Sequence, residues 1–241
     1  MDYKKYRDAI GKRVSNRKFT GASIPEDKLV KLKELVGAYN KESGLSMQVI
    51  TGDNGPFEGG GIFGGSAGYL ALVGKANDSD RMEKEGYFGE LFVLEATSMG
   101  IGTCWVASSF GKDKSKAVVA DDEVLDLGIV FGIAEPKLSI KEKMIRKVLA
   151  KNAKKKGDVA PNYDAAPEWF QAGVDAAMKS PSTKNTMPFA FTYEGTEAYV
   201  HATTDHECVM VDLGIAKLHF EVGAGGTRKC DGKKNRLHSS W

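Results

Sequence analysis

Residues 181–193 read Pro-Ser-Thr-Lys-Asn-Thr-Met-Pro-Phe-Ala-Phe-Thr-Tyr. Phe189, Phe191 and Tyr193 alternate with smaller residues, the period-two pattern of a half-buried strand. Upstream, Phe170, Val174, Ala177 and Met178 recur at helical spacing and predict a helix over 168–179. The segment between them is a helix-to-strand turn built of short polar side chains. Such residues are ordinary turn formers. Their hydroxyls, amide group and free backbone N–H groups can also read the edge of a polar heterocycle. Downstream, 198–203 predicts a hairpin partner across Gly195, and 212–222 predicts a second helix that runs into Gly223, Gly225 and Gly226.

The same order occurs earlier in the chain. Ser23-Ile24-Pro25-Glu26 has the spacing of a capping box, and Leu29, Leu32, Leu35 and Val36 predict a helix over 27–37. A loop at 40–44, Asn-Lys-Glu-Ser-Gly, leads to a strand over 45–51. A Gly-rich connection over 52–68 precedes a buried strand at 69–74. Phe88, Leu91, Phe92, Glu95 and Met99 predict a helix over 87–99 that stops at Gly100-Ile101-Gly102. Residues 127–133 are strand-like and 141–150 form a basic amphipathic helix. The repeated order predicts an internal duplication of one α+β unit. The division is a first half over 1–150, a linker over 151–161 containing Lys154-Lys155-Lys156-Gly157, a second half over 162–226 and a polar, basic, loosely ordered tail over 227–241.

Composition bounds the function. Of 241 residues, 41% are hydrophobic and 27% charged, which excludes a disordered chain. Thirty-four basic residues against 32 acidic give a net charge of +2, with no global drive toward nucleic acid or acidic membranes. Three widely spaced cysteines, Cys104, Cys208 and Cys230, exclude a disulfide scaffold and fit a reducing compartment. The charged first residues contain no signal peptide, and no apolar run approaches the roughly 20 residues of a membrane span. The expectation is a cytoplasmic protein.

Two further runs carry chemistry. Arg13-Val14-Ser15-Asn16-Arg17-Lys18-Phe19 places two guanidiniums and a hydroxyl within five residues, a donor set suited to phosphate, though a solvated basic segment reads the same way. Gly100-Ile101-Gly102-Thr103-Cys104-Trp105 lets backbone approach a flat ligand, or is a glycine cap before a core tryptophan.

Taken together, Arg-x-Ser-x-Arg-x-Phe, Gly-Ile-Gly-Thr-Cys-Trp, Pro-Ser-x-x-Asn-x-x-Pro-Phe and the Asp-x-Gly-Ile-Ala helix (Asp212, Gly214, Ile215, Ala216) resemble the FMN-dependent nitroreductase family over most of residues 9–226. In most of that family Pro-Ser-x-x-Asn follows the first helix and the flavin sits at a homodimer interface. Here the corresponding place, 40–44, is degenerate and the good copy lies in the second half. The chain is in this respect similar to the nitroreductase subgroup in which two family-like halves are fused.

The resemblance implies a nitroreductase-like α+β fold with mixed and antiparallel sheets, one chain imitating the family dimer. It implies that Arg13, Ser15 and Arg17 hold the FMN phosphate and the ribityl or ring-edge oxygens, with Arg17 a candidate donor at the pyrimidine edge. Thr103, Cys104 and Trp105 would lie along the isoalloxazine, and Pro181, Ser182, Thr183 and Asn185 would contact the flavin from the half that replaces the partner subunit. The family's basic pair would correspond to Lys141 or Lys143. One complete flavin site per chain follows, with no oligomer required. The implied activity is ping-pong hydride transfer from NAD(P)H to a small electron-poor acceptor such as a nitroaromatic or quinone, with no catalytic side chain. The alternatives are a flavin-binding sensor or carrier without efficient turnover, a flavin enzyme acting on a metabolite, and an interaction domain that binds no nucleotide.

Other motifs fail on context. Gly59-Gly60-Gly61-Ile62-Phe63-Gly64 matches G-x-G-x-x-G but does not link a strand to a helix, so it is expected to be a lid or a close backbone approach. His206-Glu207-Cys208 lacks diagnostic metal spacing, His219 reads as structural, and Cys104 has no identifiable base. Lys154–Lys156 and Lys233-Lys234 lack the aromatic interleaving of nucleic-acid sites.

Overall fold

Eighteen residues, Glu26–Ser43, form a helix (α2) seven residues longer than its apolar spacing predicts. The residues expected to loop, 40–43, are its last turn. The Asn40 side chain clamps that turn by bonding both the N–H and the carbonyl of Met47, each at 2.9 Å, and Gly44 closes it at φ 76°. The expected capping box does not form. Pro25 is the cap, with no side-chain bond, and its carbonyl accepts from Lys28 and Leu29. The structure, a computed structural model, describes residues 1–57, 63–138 and 140–226. The G-x-G-x-x-G run falls largely outside them, as do Cys230, Lys233-Lys234 and the tail.

Strands β1 (Gln48–Thr51), β2 (Gly68–Lys75), β3 (Gly102–Val106) and β4 (Glu123–Gly132) form an antiparallel sheet in the order β1-β2-β4-β3. β2 reads as a continuous apolar run because both of its faces are covered. Leu70 and Leu72 face the helical layer, while Tyr69, Ala71 and Val73 pack with Phe57, Phe110 and Cys104 on the other side. The helical layer holds α1 (Tyr3–Lys12), α2 and α3 (Arg81–Ser98). Predicted β1 loses residues 45–47: Leu45 and Met47 are buried, and the Ser46 N–H donates to the Val73 carbonyl at 2.8 Å outside the regular ladder.

Beyond α4 (Ile140–Ala150), the chain builds a second core. α6 (Glu168–Ala177) packs on the hairpin β5 (Phe189–Glu194) and β6 (Glu197–Ala202), and Gly195 turns it at φ 57°. Phe191 stacks on Phe220 of α7 (Val209–Gly223) with ring centroids 4.8 Å apart. The stretch read as a linker ends inside this core. Lys156–Val159 forms a short helix (α5), and Val159 and Ala160 are fully buried among the aromatic residues.

α3 and α7 join the two cores. They cross so closely that a Cβ on Gly214 would stand 2.0 Å from the Glu83 carbonyl oxygen, and one on Gly86 2.1 Å from that of Val211. The buried Lys217 ammonium pairs with the Glu83 carboxylate across the same crossing. A glycine inside a helix costs about 1 kcal/mol, so these two are kept for contact distance.

Gly214→Ala is therefore expected to lower unfolding free energy by about 3 kcal/mol or more, because backbone cannot move aside as a side-chain tip can. Gly37→Ala, on an exposed turn of α2 with nothing within 4 Å of the new Cβ, is expected to raise it by about 0.5–1 kcal/mol. Thermal unfolding of both variants reads the opposite signs.

Candidate functional site

Arg13–Arg17 leave α1 and run beside β3. Ser15 forms a parallel bridge with Thr103, and the Asn16 N–H donates to the Thr103 carbonyl at 2.8 Å. This pairing sets the two arginines and Ser15 along the wall of a cavity of about 480 Å³. β3 and its exit, α4, the turn at 181–185 and the first turns of α7 form the other walls. Nine of the ten residues expected to form a site line it: Arg13, Ser15, Arg17, Cys104, Trp105, Pro181, Ser182, Thr183 and Asn185. Thr103 does not. It is buried within β3, which was not expected as a strand, and its backbone holds the arginine segment in place.

Lys141 and Lys143 are exposed and outside the lining, and α4 contributes a different basic residue to the cavity wall. It is Arg146, whose guanidinium donates to the Ser15 carbonyl at 3.2 Å. Glu142, one turn earlier on the same inward face, accepts the Arg17 N–H at 3.1 Å. The 142/146/149 spacing carried this signal, but only knowledge of which face turns inward selects it.

The turn at 181–185 is strained and held. Lys184, Asn185 and Met187 have φ of 51°, 59° and 46°, a region that costs a non-glycine residue on the order of 1–2 kcal/mol. Four contacts fix it. The Ser182 hydroxyl accepts the Met187 N–H at 3.0 Å. The Asn185 amide donates to the Leu149 carbonyl at 3.1 Å, and the Asn152 amide to the Lys184 carbonyl at 2.8 Å. Both carboxylate oxygens of Asp212 accept the Thr183 N–H, at 3.1 and 3.0 Å.

Asp212 is a site residue that the motif left without a role. Burial pushes its pKa up to about 7, against the pull of the Thr183 N–H. The His206 Nε2 stands 3.6 Å from it, while the His206 Nδ1 accepts the Cys208 N–H. Arg13, Arg17, Arg146 and Lys184 line the cavity against this one acid, so its field is cationic. The Cys104 thiol lies among the arginines, yet burial outweighs them and pushes its pKa up, so it is no thiolate nucleophile.

Arg13 is anchored from below. Its Nε lies 3.8 Å from the buried Glu90 carboxylate and has no hydrogen-bond partner, while its terminal nitrogen reaches the Lys179 carbonyl at 3.5 Å. Glu90 accepts from the Trp105 indole at 2.7 Å and meets the His219 Nε2 at 2.8 Å. His219 Nδ1 faces the Ala176 carbonyl at 3.1 Å, which only accepts, so Nδ1 carries a proton. His219 is fully buried, with both ring nitrogens facing oxygens of the protein. Among the described residues no three His, Cys, Asp or Glu side chains converge as metal ligands would.

A family model described as "Putative TM nitroreductase" matches residues 5–224. Among solved structures, a "putative nitroreductase" from Thermotoga maritima is similar in fold, with a TM-score of 0.60 at 21% identity, over 90% of this chain and 82% of its own. A "putative NADH dehydrogenase/NAD(P)H nitroreductase" from Parabacteroides distasonis matches over 56% of this chain and 90% of its own, at 15% identity and a TM-score of 0.46. An FMN-dependent nitroreductase from Mycobacterium smegmatis, in complex with NADPH, matches over 58% and 97%, at 18% identity and a TM-score of 0.43. No curated protein matches the sequence.

Glu85, fully buried on α3 with neither oxygen hydrogen-bonded, gives a pH signature. Burial first, then the neighbouring Asp126 charge, push its pKa up to about 9. Its folded pKa lies above its unfolded one, so its contribution is complete at acid pH and is lost as pH rises through about 9. Glu85→Gln removes that loss. The melting temperature of the variant minus that of the parent is expected to climb between about pH 5 and about pH 9 and then level off. A difference independent of pH would mean that Glu85 is ionised in the folded protein.

Proposed function

The chain belongs to the TM nitroreductase family, and we propose that it is an oxidoreductase that holds one FMN in this cavity and passes hydride from NAD(P)H to a nitroaromatic, quinone or similar electron-poor acceptor. One observation carries the reading. Three guanidiniums from α1's exit and α4, and a Ser/Thr/Asn turn more than 160 residues after Arg13, line a single cavity.

The residues present fit the group. Arg13, Arg17 and Arg146 offer the planar donor forks that a phosphate takes, and the buried Arg13 Nε lacks a partner. Ser15, Ser182 and Thr183 bring hydroxyls for a ribityl chain. Trp105, Leu149, Val211 and Ile215 supply the apolar wall that a flat ring needs. A volume of about 480 Å³ lies within the roughly 300–1,000 Å³ range of cofactor pockets.

When bound, FMN supplies the two-electron chemistry. The chain binds, orients and shields. The arginines fix the anionic end, the apolar wall excludes water from one face, and the cationic field favours whatever negative charge develops on reduction. With FMN held by these residues, donor and acceptor would enter the same cavity in turn, which would make the kinetics ping-pong. Solvent supplies protons, so no acid–base side chain is required.

The internal pseudo-dimer is part of the same proposal. Gly86 meets Val211 and Gly214 meets Glu83, two contacts related by one sequence offset. Such reciprocity is the mark of a two-fold interface between like elements. It supports reading 1–150 and 162–226 as two halves, with the 181–185 turn standing where a partner subunit's turn would stand. In the first half the counterpart of that turn is the last turn of α2, which supports one site per chain.

Arg146→Ala is expected to weaken FMN binding about 10- to 150-fold, the loss of one charged phosphate contact, while Lys147→Ala on the outward face leaves it unchanged. Titration of apo-protein measures both, and equal affinities remove Arg146 from the site. The same titration is expected to saturate at one FMN per chain, and saturation at two would refute the single site. A flavin band that NAD(P)H bleaches and an acceptor restores marks an enzyme, and a band that NAD(P)H leaves untouched marks a carrier.

A further inference from the structure

Helix α4 has two dissimilar faces. Glu142, Arg146 and Leu149 turn inward to the arginine segment and the cavity. On the opposite side Ile140, Met144 and Val148 are 79%, 65% and 62% exposed. Their four-residue spacing makes one continuous apolar stripe. Lys143, Lys147 and Lys151 are exposed on the same outward side, and the one acid of the helix, Glu142, is buried on the other. Residues 137–156 hold nine basic residues and one acidic, in a chain whose total is +2, so the rest of the chain is net −6. The near-neutral total conceals a strongly cationic edge.

We propose that the outer face of α4 docks on an anionic lipid surface. The stripe runs along an exposed helix surface between lysines, which suits a flat, deformable partner. Apolar side chains flanked by lysines are the pattern of a helix lying in a membrane interface, with the lysine stems reaching past the apolar stripe to the headgroups. A two-fold contact between copies would set each cationic face against its own like, which disfavours a second copy of the chain. The net negative remainder of the molecule is repelled by the same surface and turns α4 toward it. The proposal is independent of the flavin reading, since it concerns side chains on the far side of the helix from the cavity.

Sedimentation of the full-length protein with vesicles tests it. Binding is expected to phosphatidylcholine vesicles containing phosphatidylglycerol and not to phosphatidylcholine alone, and to fall with salt. Each of Lys143→Gln, Lys147→Gln and Lys151→Gln should weaken it about fivefold. Met144→Glu should abolish it at unchanged melting temperature, and Met144→Leu should preserve it. Three results would overturn the proposal: no binding to the anionic vesicles, binding that these variants leave intact, or a dimer by analytical ultracentrifugation that Met144→Glu dissociates while vesicles stay unbound.

Discussion

The contact distance between α3 and α7 governs the molecule. With Gly86 and Gly214 at the crossing, each helix lies against the other's backbone carbonyl. Any side chain there would open a gap along the whole length of both helices, and a packed interior does not tolerate such a gap. α3 belongs to the layer that covers the four-stranded sheet, and α7 carries Phe220 into the aromatic core of the hairpin. The crossing therefore sets how far the sheet stands from the hairpin. That spacing is also the width of the cavity, because Trp105 and Arg13 approach it from the sheet side while Asp212 and the 181–185 turn approach it from α7.

Distance alone does not aim the side chains. Two buried carboxylates do that from opposite walls. Glu90, on α3, holds the Trp105 indole and lies beside Arg13, with His219 of α7 behind it. Asp212, on α7, holds the Thr183 N–H and so stabilises a turn with three left-handed non-glycine residues. A buried ion is costly unless hydrogen bonds surround it. Each of these acids sits where its partners are groups of the cavity wall, so its polar cost is offset by fixing the wall. The strain at Lys184 and Asn185 persists for the same reason: the contacts around the turn over-determine it.

The sequence disclosed the chemistry of the site better than its scaffold. Arg13–Arg17 and Pro181–Asn185 were readable because guanidiniums and short hydroxyl and amide side chains at close spacing are informative on their own. Arg146 was not, since four other basic residues share α4 or flank it and only its inward placement distinguishes it. α1 escaped notice because its ten residues are mostly charged and bury only Tyr6, Ala9 and Ile10. β3 escaped because Gly100 and Gly102 read as a helix exit, whereas Gly102 is already the first residue of a strand. At 40–44 polar composition argued for a loop, and a single side chain, Asn40, outweighed it by satisfying Met47.

The charge pattern gives the architecture a consequence for stability. Arg13, Arg17, Arg146 and Lys184 line one cavity whose lining acid is Asp212, while Glu90 stands behind Arg13 and Glu142 behind Arg17. Burial pushes the Asp212 pKa up to about 7, so near neutral pH even that acid is only partly ionised. The lining cations exceed the lining acid, and the repulsion that the acids do not offset falls on the folded chain because the unfolded chain disperses its charges. An anion that enters the cavity removes the repulsion and binds only the folded state, so it stabilises by mass action in proportion to the logarithm of its concentration over Kd. The same excess of lining cations thus makes the cavity selective for a negatively charged ligand.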